Sequence, residues 1–366
     1  MSPEDKINKD EIIQTFGLDV ESSVKETFLP NNLEGSIYKV NLKDFDGNAY
    51  ILDSHEGRQV ACNPYIVGKE LERCCLSAAN LAIRSLKNIT DIGETSPIIL
   101  NILRAGPGYQ LAEALKSTND SLCQIWVRVK YFQSSYRDHV ERKLRIIYED
   151  FKSIPSNRKI TLLIPDTFAT GASAEVAIKR VFEELGRNKS SVKNIVMFGF
   201  ISQDSIKYLS HVLKEYEVNI VVLALENIMN VAWNNYDMAI YGLDLGFYEK
   251  FRKLRKLSSV IPEDILDECL PYYAPGSDQP GDFSSRQRKL FNGQGWETAP
   301  IFSHLLNSLT MLKSLEEISK NEPWYGHEKI YKEKRSKLKK KCMKYLPHSL
   351  LYPKESVKSI KLLFES

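Results

Sequence analysis

Two stretches of this chain are dominated by apolar residues at strand length, and each runs into a loop of small residues and then a helical pattern. The first is Pro97-Ile98-Ile99-Leu100-Asn101-Ile102-Leu103, followed by Arg104-Ala105-Gly106-Pro107-Gly108 and a helical pattern over Tyr109–Leu115. The second is Lys159–Ile164, followed by the loop Pro165–Ser173 and a helical pattern over Ala174–Leu185 that Gly186 ends. A strand without polar alternation is covered on both faces, which points to a parallel sheet with helices above and below. Lys193–Ile201 and Asn219–Ala224 extend the series, with a helical segment at Ser205–Tyr216 between them. Upstream, Val67, Leu71, Cys74, Ala78 and Leu81 recur at helical spacing between Pro64 and Lys87. The predicted fold class is α/β, a central, mostly parallel sheet with helices on both faces joined by right-handed crossovers. Ligands of such sheets collect at the C-terminal strand ends, where both small-residue loops fall.

Charge is unevenly placed along the 366 residues. Residues 1–50 hold five Lys against ten acidic residues, and residues 324–366 hold eleven Lys and one Arg against four Glu, so the middle is close to neutral. The acidic N-terminus has neither the apolar core of a secretory signal nor the character of a transit peptide. The best apolar stretches fall far short of the ~20 residues that span a bilayer, so no membrane association is expected. The six cysteines form no C-x-x-C pair and no zinc-type spacing with histidine. The vicinal Cys74-Cys75 lies in an apolar helical pattern and reads as buried, reduced thiols. A cytoplasmic, reducing setting is expected.

The loop Pro165-Asp166-Thr167-Phe168-Ala169-Thr170-Gly171-Ala172-Ser173 has the makings of a phosphate cradle. Orphan N–H groups at a helix start, joined by two hydroxyls, attract an anion, and Gly171 and Ala172 let it approach the backbone. Asp166 would face whatever carries the phosphate, such as sugar hydroxyls. Neither a Walker A loop nor a G-x-G-x-x-G fingerprint occurs, which disfavours an NTPase or a dinucleotide enzyme. The plain alternative is a Thr/Ser-capped helix. At 104–108, Gly106 and Gly108 permit a tight backbone nest, and the fork of Arg104 suits pyrophosphate oxygens.

Together these loops resemble those of the type I phosphoribosyltransferases, most closely the uracil enzymes. That superfamily's phosphoribosyl-pyrophosphate motif is an apolar strand, one or two acidic residues, then Thr-Gly-Gly-Ser/Thr; here it is Leu162 through Ser173. Ile102-Leu103-Arg104-Ala105-Gly106 matches the uracil enzymes' pyrophosphate loop letter for letter. The segment from Tyr272 to Asp282 is similar to their base-binding loop at Tyr272, Pro275, Gly276, Gly281 and Asp282. The resemblance runs from about Ser96 to Leu290. It implies transfer of ribose 5-phosphate from phosphoribosyl pyrophosphate to a nucleobase, uracil or another pyrimidine preferred, with magnesium (Mg2+) on the pyrophosphate. By the match, Thr167, Ala169, Thr170, Gly171, Ala172 and Ser173 would bind the 5-phosphate side, and Asp166 the ribose hydroxyls. Arg104, with Ala105 and Gly106, would take the pyrophosphate, and Arg128 stands where the family has a second loop arginine. Tyr273, Ala274, Gly276 and Asp282 would bind the base. No side-chain metal site is implied. The family's mobile hood corresponds to 128–145, where Lys130, Arg137, Arg142, Lys143 and Arg145 alternate with Tyr131, Phe132 and Tyr136, and where His139 is a lone loop histidine.

The match departs from the family at three places. Pro165 takes the first acidic position, Ala172 replaces a glycine of the cradle, and the Gly-Asp of the base loop becomes Asp278-Gln279 before Pro280. Three regions are expected: an acidic extension over 1–54, an α/β core over 55–290 with an insertion near 227–270, and a basic, mainly helical extension over 291–366. The insertion's Lys250–Lys256 run is expected to be an amphipathic helix with a solvated basic face, and the tail's Lys329–Lys344 a denser basic helix. A homodimer is expected, its association steered by opposite charges on head and tail. The competing reading is a non-catalytic relative that binds phosphoribosyl pyrophosphate or a nucleotide and contacts nucleic acid through its basic segments.

Overall fold

The computed structural model describes residues 7–27, 34–90, 94–116, 122–131 and 144–346. In chain order it forms α1 (Lys9–Phe16), β1 (Ser23–Glu26), β2 (Ser36–Val40), β3 (Asn48–Asp53), α2 (His55–Cys62), α3 (Lys69–Ile89) and β4 (Ser96–Leu103). Then come α4 (Leu111–Lys116), β5 (Cys123–Tyr131), β6 (Leu144–Asp150), β7 (Lys159–Pro165), α5 (Ala172–Arg187), β8 (Ser191–Ser202), α6 (Gln203–Val212) and β9 (Asn219–Met229). The C-terminal third adds α7 (Leu245–Phe251), α8 (Glu263–Cys269), α9 (Phe283–Arg286), α10 (Ile301–Ser319) and α11 (Glu328–Lys344).

These nine strands belong to one ten-stranded sheet of order β1-β2-β3-β9-β8-β7-β4-β5-β6, whose tenth strand, Ser259–Val260, pairs antiparallel with β9. The pairings from β3 through β9, β8, β7 and β4 to β5 are all parallel. Antiparallel strands close both edges. Ile98, Ile99, Leu100, Ile160, Leu162, Leu163, Ile195, Val196, Val221 and Val222 are all buried. Successive side chains of a strand point to opposite faces, so unbroken burial means that both faces are covered. The α/β class is therefore as the apolar runs predict.

Several segments differ from expectation. The acidic head is built into the sheet: β2 and β3 carry buried Ile37, Tyr38, Ile51 and Leu52, and β3 pairs in parallel with β9. Helix α5 passes through Gly186 and closes on Asn188, whose N–H reaches Glu184 O. The basic run 250–256 is helical only at Lys250 and Phe251, the end of α7. Helix α7 ends at Phe251 because Arg252 turns left-handed at φ 55°, and Arg255 instead pairs with the buried Asp244 at 3.2 Å.

The tail forms the basic helix expected, α11, but one of its faces is buried. Ile330, Tyr331, Lys334, Leu338 and Cys342 are buried along one face. Lys334 donates from Nζ to Asn63 Oδ1 at 2.7 Å and to the Cys62 carbonyl, and burial pushes its pKa down to about 8. Lys341 reaches Glu70 at 2.7 Å, so the basic tail docks on the start of α3. Cys74 and Cys75 are buried free thiols. No helix among the described residues is long and apolar enough to cross a membrane.

Candidate active site

Strand β7 ends at Pro165, and the following loop is stitched to β8 before α5 begins. Asp166 N donates to Phe198 O at 3.0 Å, Phe168 N to Phe200 O at 2.8 Å, and Ser202 N to Phe168 O at 3.0 Å. Gly171 takes φ 80° at the helix start, the left-handed conformation that favours glycine. Ala172 is the first helical residue and lies outside the positive-φ region. An alanine is thus accommodated at this position without strain. Thr170, Gly171, Ala172 and Ser173, at the N-terminal end of this 16-residue helix where N–H groups lack helical partners, line one cavity.

Asp166 is almost completely buried, and loss of hydration pushes its pKa up to about 8, against the opposing pull of the Thr167 N–H. Gly199 explains how the loop fits so closely: at φ 139°, an added Cβ would stand 2.2 Å from Asp166 O and 2.9 Å from the Tyr109 ring. Tyr109, fully buried, bonds Thr167 Oγ1 at 2.6 Å and stacks on Phe283 with centroids 4.1 Å apart and planes 10° from parallel. One side chain thus ties the turn after β4 to the phosphate-type loop and to α9.

After β4 the peptide between Leu103 and Arg104 is cis, and a 3-10 turn over Gly106–Tyr109 precedes α4, which Gln110 sets off by turning left-handed. The continuous helix expected from Tyr109 is accordingly broken at Gln110. Gly106 packs its backbone against Pro165 O, where an added Cβ would stand 2.8 Å away. Gln287, from the end of α9, donates to Arg104 O at 3.0 Å and holds the loop from the other side. Leu103 and Arg128 are register partners on β4 and β5. The two arginines are neighbours, and burial together with Arg104 lowers the pKa of Arg128. Both are engaged: Arg104 Nη1 pairs with Glu297 Oε1 at 3.0 Å, and Arg128 Nη1 donates to Asn292 O at 2.6 Å.

The third wall comes from the segment 278–284. Arg286 fixes it: its fully buried guanidinium donates to the carbonyls of Gln279, Pro280, Val60, Asn63 and Ile66 at 3.0–3.3 Å. Asp282, left-handed at φ 48°, accepts from Tyr236 OH at 3.2 Å and from Ser285 Oγ at 2.5 Å. Asp278 Oδ1 accepts from Met238 N at 3.0 Å, so the insertion and the base-type loop are joined by backbone and carboxylate.

These walls enclose a cavity of about 220 Å3 at the C-terminal ends of β4 and β7. Of the residues singled out in the sequence, Arg104, Ala105, Asp166, Thr167, Ala169, Thr170, Gly171, Ala172, Ser173 and Asp282 line it. Gly106, Arg128, Tyr273, Ala274 and Gly276 do not. Tyr273 is fully buried, accepting from Ile240 N at 3.0 Å and donating to Ser277 O at 2.8 Å, and Gly276 packs at φ 84° against Leu243 O. Ala274 belongs to the apolar cluster under α10. These three shape the base-type loop from beneath; Asp278, Pro280, Phe283 and Ser284 form its cavity face.

Asn235 and Tyr236 line the cavity from the insertion, and Val129 and Tyr131 from β5. Sequence reasoning missed Asn235 and Tyr236. Their signal was the polar Asn-Asn-Tyr-Asp turn, in which Asn234 caps Tyr236 and Asp237 while Asn235 turns left-handed. Phe132, Tyr136, Arg137, His139, Arg142 and Lys143, the remainder of the expected hood, lie outside the described residues.

No protein-family profile matches the chain, and no curated protein does. Solved structures of similar shape include the adenine phosphoribosyltransferase of Leishmania tarentolae, 13% identical over 51% of this chain and 95% of that one, with a TM-score of 0.31. The orotate phosphoribosyltransferase of Mycobacterium tuberculosis in complex with phosphoribosyl pyrophosphate is 12% identical over 46% and 90%, TM-score 0.28. The hypoxanthine phosphoribosyltransferase of Staphylococcus aureus is 14% identical over 43% and 76%, TM-score 0.26.

Proposed function

We propose that the chain is a phosphoribosyltransferase that moves ribose 5-phosphate from phosphoribosyl pyrophosphate to a nucleobase and releases pyrophosphate. One observation carries this reading. Three segments that are far apart in sequence, 104–105, 166–174 and 278–284, meet around one cavity. The 5-phosphate would sit on the N–H groups and hydroxyls of Thr170–Ser173, the ribose hydroxyls at Asp166, and the pyrophosphate at Arg104. The base would enter between Tyr236, Asp278 and Asp282. Uracil is the first base to test, because the Ile102–Gly106 loop is letter for letter that of the uracil enzymes.

The bond from C1 to the pyrophosphate oxygen breaks as a base nitrogen shares its electron pair with C1, and the base's proton leaves with the solvent. The chain supplies no nucleophile. Its work is to hold donor and acceptor in line and to place positive groups on the departing pyrophosphate. Described residues contain no cluster of three His, Cys, Asp or Glu able to hold a metal. Mg2+ needs only one or two carboxylates when substrate oxygens complete its shell, and Asp166 fits that need once it loses its proton. When bound with the donor, Mg2+ neutralises pyrophosphate charge. A calorimetric titration with magnesium phosphoribosyl pyrophosphate tests the assignment. One site is expected, weakened about 100-fold by Arg104→Ala. Undiminished affinity in that variant would place the donor elsewhere.

A further inference from the structure

The loop carrying Arg104 is held twice. Gln287 fixes its backbone at the Arg104 carbonyl, while the guanidinium is taken separately by Glu297 at 3.0 Å. Glu297 stands on a small hairpin of Lys289–Phe291 and Trp296–Thr298, 193 residues from Arg104 and outside the part of the chain that resembles the phosphoribosyltransferases. The hairpin is seated firmly. Phe291 meets Trp126 and Tyr148 edge-on at 5.3 and 6.0 Å, and Asn292 Oδ1 accepts from Gln294 N and Gly295 N at 2.8 and 2.9 Å. The Asn292 carbonyl meanwhile takes Arg128. Both arginines at the pyrophosphate end are thus engaged by one hairpin.

A carboxylate and a phosphate make the same demand on a guanidinium fork. Because the loop backbone has its own support in Gln287, the Glu297 pair is not needed to keep the loop in place. The side chains of Arg104 and Glu297 are 37% and 41% exposed, so the pair is weak enough to be displaced by a ligand. On the reading that this cavity binds phosphoribosyl pyrophosphate, we propose that Glu297 is a built-in competitor for the pyrophosphate group. Its carboxylate occupies Arg104 between turnovers, lowers the site's hold on pyrophosphate and speeds release of that product.

The test is calorimetric titration of the full chain with inorganic pyrophosphate and, separately, with ribose 5-phosphate, for the native protein, Glu297→Gln, Arg104→Ala and the double variant. Glu297→Gln is expected to bind pyrophosphate roughly five-fold more tightly, the scale of a half-exposed ion pair. Its ribose 5-phosphate affinity stays unchanged, and the gain vanishes in the Arg104→Ala background. If the native protein binds pyrophosphate and Glu297→Gln binds it equally or less well, the competitor role is overturned while the phosphoribosyl reading stands. If neither ligand binds any of the four proteins, that reading fails and the competitor role fails with it.

Discussion

Replacing Asp166 by Asn exposes a cost that the fold carries for its site. The carboxyl is buried at the end of β7, and burial raises its pKa from 3.8 to about 8. At low pH both folded and unfolded chains hold the proton and the group is neutral in its effect. Between about 4 and 8 the unfolded chain releases the proton and the folded chain keeps it, so the unfolded state binds fewer protons and stability falls as pH rises. Above about 8 both forms are ionised and the loss is constant. At about 1.4 kcal/mol per pH unit, the window from 3.8 to 8 amounts to at most about 6 kcal/mol. Asp166→Asn removes this term and leaves the titration of every other group in place. Urea unfolding of both proteins at pH 5, 6, 7, 8 and 9 should show the variant gaining on the native chain by about 1.4 kcal/mol per pH unit up to pH 8, then running parallel to it. The same variant should lose turnover. A stability difference that is flat from pH 5 to 9 would mean that Asp166 is an ordinary ionised carboxylate, and the electrostatic account of the loop would be wrong.

Arg286→Met should cost about 3–5 kcal/mol in denaturant unfolding, because five carbonyls lose their donor together; a change below 1 kcal/mol would show that the guanidinium does not pin the base-type loop. Tyr109→Phe keeps the stack on Phe283 and loses the bond to Thr167, for about 1 kcal/mol, whereas Tyr109→Ala should cost about 3–5 kcal/mol; equal losses in the two variants would contradict the role given to the ring. Gly199→Ala forces a methyl against Asp166 O and should weaken ribose 5-phosphate binding about ten-fold or more in a titration; unchanged affinity would show that the loop does not depend on this close approach. Lys334→Ala should destabilise more than Lys334→Met, because the methionine fills the space along α11, and thermal unfolding would report the opposite order if the lysine were a solvated surface charge.

The centre of the sheet was legible because buried parallel strands leave mostly apolar runs without polar alternation, and Ile98–Leu103, Ile160–Ile164 and Asn194–Ile201 are such runs. The loops after β4 and β7 were legible because small residues and hydroxyls there have few other uses. Strands β1 to β3 escaped notice because they are short, and β1, with its partly exposed residues, has no apolar face. The basic tail was legible as a helix, but its lysines hide a four-residue spacing: Ile330, Lys334, Leu338 and Cys342 form the inner face of α11. Over 250–256 the run of charge was compatible with a helix, but Arg252 capped α7 and Arg255 found Asp244. Glu297 had no local signal, since its partner is 193 residues away and the two meet only in the folded chain.

The central claim is that one cavity joins a phosphoribosyl donor to a base. Pyrophosphate release from magnesium phosphoribosyl pyrophosphate, followed across a panel of free pyrimidine and purine bases, tests it most directly. The account predicts base-dependent release with at least one base, lost in both Arg104→Ala and Asp166→Asn while their folds remain intact. Tight donor binding without release for any base would contradict it and leave a binding protein in place of an enzyme.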